Sequence, residues 1–528
     1  MRTLYINGRV YTGTLPLTDC FAVDGDRFTA CEGPFDRIVD LQGAFVCAGF
    51  HDSHMHVLGY GQTLTIAPLH LHTGSLEQML ACLASFPGRR GGWLLGRGWN
   101  QDYFSDGHRM PTRQDLDRVS TEYPICATRA CGHALTVNSK ALEILGLGDD
   151  PIQPEGGQIL LENGKPNGIF LDSAMELVQA IIPVPSKNEI KDMIRSACAA
   201  LNARGITAAQ SDDYSTFWNL PWQTVNEAYR ELEESGELTL RIYEQANFTN
   251  LADLQAFVES GHTTGSGSPL FTVGPLKMLG DGALGARTAF LSRPYQDAPD
   301  TRGIPVFSQE TFDEMIGYAH AQGMQTAIHA IGDACLDRVL SSLDKAQAAH
   351  PRTDHRHGIV HCQITRADQL NKIADMKLHV YAQSIFLDYD IHIVHERAGD
   401  ALAKTSYRWK TLRDLGATVS NGSDCPVEWP DVMAGIQCAV TRRDLNGYGP
   451  YHPEEAFTVA EALDSFTKGG AWASFEEKKK GTIAAGMLAD FVILGEDPFM
   501  IDPAQIRNIP ILATYLAGRK VFAQNDKS

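Results

Sequence analysis

Phe45-Val46-Cys47-Ala48-Gly49-Phe50-His51-Asp52-Ser53-His54-Met55-His56 is an apolar run that closes on two histidines. In an extended strand, residues i and i+2 project to one face, so His54 and His56 can hold one ion from a single rigid element. An H-x-H spacing taken alone is weak. His70 and His72 form another, but no strand bearing further ligands surrounds them, and they read as structural.

Further along, seven more short apolar runs end in polar or metal-capable residues: Gly205–Asp213, Leu240–Asn247, Phe271–Leu279, Gln325–Asp333, His357–Gln363, Leu378–Ile385 and Ala417–Asp424. Helical patterns follow most of them. Buried strands alternating with helices imply a parallel sheet, and eight such units imply a closed (β/α)8 TIM barrel. Lys277, His329, His361 and Asp424 each stand at the C-terminal end of an expected barrel strand, the face on which TIM-barrel active sites lie. With His54 and His56 they make a set of borderline and hard ligands suited to zinc, iron or manganese. One histidine on an apolar strand is usually a satisfied core residue. Four at corresponding positions are poorly explained that way.

The ends of the chain resemble each other in kind. Residues 1–46 hold short strands joined by turn signals at Asn7-Gly8 and Asp24-Gly25, and strand patterns return from Gly481 onward. We therefore expect a small β-sandwich module built from residues 1–46 and 481–528, flanking a barrel domain over 47–480. About 150 residues separate the first two barrel runs, far more than a βα connection needs. Residues 70–185 are read as an insertion, a lid or substrate-side subdomain. Within it Gly96-Arg-Gly-Trp99-Asn100 and Cys131-Gly-His133 place Trp99 and His133 as candidates to close over substrate. The long segment after the seventh strand, residues 386–410, carries His392, Tyr407 and Arg408 as a substrate loop would, with a solvated helix as the plainer reading of His392.

Bulk properties narrow the function further. The 528 residues carry a net charge of −19, which repels nucleic acid and anionic membranes and leaves a small molecule as the expected partner, with a homo-oligomer open. The eleven cysteines are scattered with no C-x-x-C pair, as in a reducing compartment. No apolar run reaches membrane-spanning length. A soluble cytoplasmic protein is expected.

The sequence resembles the amidohydrolase superfamily, and within it the subgroup of YtcJ-like proteins and N-substituted formamide deformylases. The resemblance is carried by Ala48-Gly-Phe-His-Asp-Ser-His-Met-His56, Val273-Gly-Pro-Leu-Lys-Met-Leu-Gly-Asp-Gly-Ala283, Ala327-Ile-His-Ala-Ile-Gly-Asp333, His357-Gly-Ile-Val-His361, Asn421-Gly-Ser-Asp-Cys-Pro426 and Gly486-Met-Leu-Ala-Asp-Phe-Val492. It implies that His54, His56 and Asp424 bind one metal and that His329 and His361 bind a second. Lys277 would bridge the two as a lysine carboxylated by CO2, because a bare ammonium cannot ligate a cation. The lesser alternative is an ordinary lysine paired with Asp281 or with substrate, leaving a one-metal site.

The implied activity is hydrolysis of an amide or N-formyl C–N bond, with zinc foremost among the ions and Asp424 as the proton shuttle. Deaminase, isomerase or decarboxylase chemistry on the same scaffold, or a non-catalytic regulatory role, are the alternatives. Asp281 and Arg287, in the Asp281-Gly-Ala-Leu-Gly-Ala-Arg287 loop after the fourth strand, and Arg408 are further candidates for binding substrate, with loop ordering the plainer reading of Asp281 and Arg287. Val360 stands where relatives often carry glutamate, removing a possible partner for His361.

Overall fold

Eight almost wholly buried strands pair in parallel, in chain order. They are β1 (Phe50–Met55), β2 (Ile206–Ser211), β3 (Arg241–Asn247), β4 (Phe271–Leu279), β5 (Thr326–Ala330), β6 (Gly358–His361), β7 (His379–Ala382) and β8 (Thr418–Asn421). Burial on both faces is what a parallel sheet covered by helices requires. This is the TIM barrel expected from the sequence. The computed structural model describes residues 1–129, 134–154, 157–172, 174–217 and 219–524.

Helices Leu251–Glu259, Gln309–Ala321, Asp333–Ala349, Ala367–Asp375 and Trp409–Asp414 alternate with β3 to β8. Two of them start on side-chain caps: Asn250 accepts from the Asp253 amide and Ser308 from that of Thr311.

No strand ladder joins β8 to β1. The Asp424 amide donates to the His54 carbonyl (2.8 Å). The amide and hydroxyl of Ser423 both donate to the Asp52 carboxylate (3.1 and 2.6 Å). Gly422 sits against β1 so closely that a Cβ would lie 2.5 Å from the His54 nitrogen. Only glycine fits there, so the seam dictates its own residue.

The opening run Phe45–His56 is two strands where the sequence suggested one. Phe45–Ala48 pairs antiparallel with Phe491–Leu494 in a five-stranded sheet outside the barrel. Gly49 then turns the chain into β1, its amide donating to the Asp490 carbonyl (2.9 Å) and its missing side chain leaving room for Thr207. The remaining strands of that sheet are Arg9–Val10, Ile511–Leu516 and Arg519–Ala523. A four-stranded sheet runs in the order 27–29, 21–24, 2–6, 37–40. The two share a core in which Tyr5, Phe21, Phe28 and Phe491 interlock.

A second unit comprises Leu58–Ala197 with Ser215–Tyr229. Its six-stranded sheet carries Leu94–Trp99 beside Ile125–Arg129 and buries a separate core on each face.

A buried ion pair ties the C-terminal strands to the barrel. Arg241, at the start of β3, reaches both oxygens of Asp490 (2.7 and 3.1 Å), and the same carboxylate accepts the Ala517 amide (2.7 Å). Both side chains are less than a tenth exposed. Removing one member of such a pair strands a charge and costs about 3–5 kcal/mol, whereas replacing both by apolar groups costs far less. Asp490→Ala should therefore lower the urea midpoint by that equivalent, and Arg241→Met with Asp490→Leu should recover most of it. A single variant with an unchanged midpoint would show the pair to be dispensable.

Candidate metal centre

Strands β1, β4, β5, β6 and β8 each bring one or two polar side chains to the C-terminal mouth of the barrel. His54 is the penultimate residue of β1 with His56 just beyond the strand, and Asp424 follows β8; the ligand atoms of these three all lie within 4.8 Å of one another. One Asp424 oxygen is 3.3 Å from His54 Nε2 and 3.2 Å from His56 Nε2. Lys277 of β4 is buried, with Nζ 3.4 Å from His54 Nε2 and 3.9 Å from Asp212. The His361 ring lies 5.5 Å from that of His54 and 4.5 Å from that of His329. All six sequence-derived ligand candidates thus converge.

The chemistry of the set follows from what holds each imidazole. His54 Nδ1 donates to Gln245 Oε1 (2.7 Å), and Gln245 is oriented by donating its own amide to the Ser53 carbonyl. His56 Nδ1 donates to the Asp212 carbonyl (2.8 Å). His361 Nδ1 donates to Gln383 Oε1 (2.8 Å), whose amide is anchored on the Tyr381 carbonyl. In all three, the proton is fixed on Nδ1 and a lone pair is left on Nε2. His329 is held the other way round: its Nε2 lies 3.2 Å from both the Gly282 carbonyl and an Asp281 oxygen, so its lone pair is on Nδ1.

Lone pairs of His54 and His56 facing a carboxylate oxygen repel unless something positive lies among them. The Lys277 ammonium, 3.4 Å from His54 Nε2, and a second proton on His56 are one answer. Although burial opposes it, the hydrogen bond to Asp424 and the charges of Asp212 and Asp424 raise the His56 pKa to about 9. Burial pushes Asp424 up, but the contacts with His54 and His56 hold it well below the ordinary carboxylate range. Burial, aided by the Lys277 charge, lowers His54 to about 4. A divalent ion is the other answer, and neutral imidazoles with an ionised carboxylate are the donor forms it needs. The residues present fit such an ion.

Two of these residues sit in strained backbone. His361 has φ +75° and Asp424 φ +58°, a region that non-glycine residues seldom adopt and that persists only where surroundings enforce it. The Trp409 indole donates to the His361 carbonyl (3.0 Å), and the Asp424 amide is fixed on His54.

The other candidates are placed differently. Asp281 is buried among backbone amides and touches His329. Arg287 pairs with Asp297, and Arg408 is spent on Glu454, Glu455 and the Lys404 carbonyl. Trp99 is fully buried in the second unit, its indole donating to the Ala127 carbonyl (2.9 Å). His133 lies outside the described residues. His70 and His72 are exposed on a short 3-10 helix. Val360 packs with Ala327, Tyr381 and Ala473 in the barrel interior. The partner that glutamate would have offered His361 is supplied by Gln383. Gln245, Gln383 and Asp212 were not anticipated; a glutamine near the end of β3 and another just beyond β7 were the available signal.

The amidohydrolase family model matches residues 37–522. The chain is 33% identical over 501 residues to YtcJ of Bacillus subtilis (strain 168), covering 93% of this chain and 92% of that protein. It is 24% identical over 504 residues to the N-substituted formamide deformylase of Arthrobacter pascens, covering 92% and 90%. Among solved structures, an uncharacterized metal-dependent hydrolase from Pyrococcus furiosus superposes with a TM-score of 0.79 at 28% identity, covering 94% of this chain and 100% of that one. With its barrel, its histidine-rich mouth and this match along nearly its whole length, the chain belongs to the amidohydrolase family and is a metal-dependent hydrolase.

Proposed function

We propose that the protein hydrolyses a C–N bond, of amide or N-formyl type, in a small molecule. One divalent ion, with zinc foremost, would be held by His54, His56 and Asp424. A second would be held by His329 and His361, with carboxylated Lys277 between them. The observation that carries this reading is the set of four imidazoles gathered at one barrel mouth, each with one nitrogen tied to a fixed oxygen acceptor so that the other can offer a lone pair. The choice of bond leans on the likeness to N-substituted formamide deformylase.

Ions held there would lower the pKa of water towards about 7 and would polarise a carbonyl. The rest falls to the chain. Asp424, ionised and facing the His54 and His56 nitrogens, takes a proton from the attacking water. It returns that proton to the leaving nitrogen as the C–O bond forms and the C–N bond breaks. Gln245, Gln383 and the Asp212 carbonyl keep three rings from turning while charge shifts in front of them. Lys277, buried with Nζ 3.4 Å from His54 Nε2 and 3.9 Å from Asp212, would as a carbamate supply anionic oxygens to help hold the ions.

Protein produced with added zinc should carry up to two ions per chain by elemental mass spectrometry. Lys277→Ala should lose metal and activity together, and short carboxylic acids should restore part of both. Folded wild-type protein that never takes up metal would end the reading, and a Lys277→Ala variant with full metal content would remove the bridge.

Asp424→Asn keeps the size and one oxygen but cannot accept a proton. With metal content verified, its kcat on N-formyl or N-acyl amines should fall about 10²–10⁴-fold with KM little changed, the pattern of an interaction made only in the transition state. Near-normal kcat would eliminate the shuttle role.

A further inference from the structure

Asp281 follows β4 and is fully buried as a side chain. One oxygen accepts the amides of Phe290 and Gly332 (both 2.8 Å). The other accepts the Ile331 amide (3.0 Å) and lies 3.2 Å from His329 Nε2. Three backbone donors therefore fix the carboxylate in place before the histidine is considered. The Gly282 carbonyl approaches the same ring nitrogen at 3.2 Å. Neither acceptor can donate, so both demand the proton on Nε2.

The geometry points to Asp281 as a positioning residue that, together with the Gly282 carbonyl, makes His329 present Nδ1, and not Nε2, to the second ion. This rests on the two-ion reading above. His329 is the exception among the four rings, since His54, His56 and His361 all have Nδ1 tied and Nε2 turned to the centre. It is also the ring whose partner comes from the loop that follows another ligand, Lys277. The 281–282 turn thus links a bridging residue to the orientation of its neighbour. Asp281 touches neither substrate nor ion in this role. It acts through His329.

The chemistry of the carboxylate gives a test that packing alone would not meet. In Asp281→Asn the single oxygen can keep the Phe290 and Gly332 amides, whose 2.8 Å contacts are the shorter ones, which puts the NH2 group against His329 Nε2 and the Ile331 amide. Donor facing donor favours the other tautomer, with the proton on Nδ1 and no lone pair for the ion. In Asp281→Ala the backbone amides lose their acceptor, but the Gly282 carbonyl still holds the proton on Nε2. Stability and metal binding should therefore rank the two variants in opposite orders.

The experiment is zinc competition against a chromophoric chelator, resolving both ions, with urea unfolding of the same preparations. Asp281→Asn should keep the affinity of the first ion and weaken the second about 10–100-fold, as loss of a partner behind a ligand does. Asp281→Ala should be the less stable variant yet weaken the second ion less. If a folded Asp281→Asn protein holds both ions with wild-type affinities, or if the second-ion loss simply follows stability, Asp281 does not set the tautomer. A wild-type protein that binds only one ion would overturn this role and the two-ion reading together, whereas two ions in wild type with an unaffected Asn variant would overturn only the role of Asp281.

Discussion

A buried imidazole can offer a lone pair to an ion only if its other nitrogen gives its proton to a group that does not move. This constraint organises the mouth of the barrel. The strands that carry ligand candidates are β1, β4, β5, β6 and β8. The strands that carry none hold the partners: β3 supplies Gln245, the end of β2 supplies the Asp212 carbonyl, and the end of β7 supplies Gln383. The eight strands therefore form one device of two interleaved sets. Moving any strand by one residue would turn a ligand or its partner away from the mouth.

The same constraint couples the site to closure of the barrel. The β1–β8 seam has no ladder of its own and depends on Asp52, Ser423, the His54 carbonyl and the Asp424 amide. Two of these residues also face the metal site. Burial raises the Asp52 pKa to about 7 against the opposing hydrogen bonds from Ser423 and His54, so the seam keeps a carboxyl at the edge of its ionised range. Strain at His361 and Asp424 belongs to the same arrangement. Each must leave its strand at an angle that brings the side chain inward, and Trp409 and His54 hold the bent backbone there.

Much of this was legible in the sequence because two periodicities carry it. Buried parallel strands read as apolar runs, and ligands at their ends read as polar punctuation, so His54, His56, Lys277, His329, His361 and Asp424 stood out. The partners did not. Gln245 lies 191 residues from His54, and Gln383 is 22 residues from His361 across a helix; neither spacing is a motif. The absence of glutamate at Val360 drew attention to the wrong strand, since the partner of His361 comes from the neighbouring one. The split of Phe45–His56 was also hidden. Two sheets that are both buried leave the same apolar pattern, and only the crowding of Gly49 by Thr207 marks where one ends.

The residue type alone does not mark a ligand, as the other end of the barrel shows. His355 and His357 repeat the H-x-H spacing and line a cavity of about 380 Å³ with Arg352 and Lys377. The Thr326 amide donates to His357 Nδ1 (3.0 Å), which leaves the proton on Nε2 to be given to His320 Nδ1 (2.7 Å). His320 passes its own Nε2 proton to the His350 carbonyl (2.5 Å), and the His357 amide donates to His355 Nδ1 (3.0 Å). Burial lowers the pKa of all three rings, His357 most strongly, so they remain neutral. Both nitrogens of His357 and of His320 are consumed within the protein. In the mouth one nitrogen of each ring is tied to a fixed acceptor, while the other nitrogens of His54 and His56 meet Lys277 and Asp424, themselves ligand candidates; at the floor both nitrogens of His357 and of His320 are tied into the fold. A ring nitrogen that faces fellow ligand candidates, and not a fixed group of the fold, separates a histidine that can hold an ion from one that can only hold the fold.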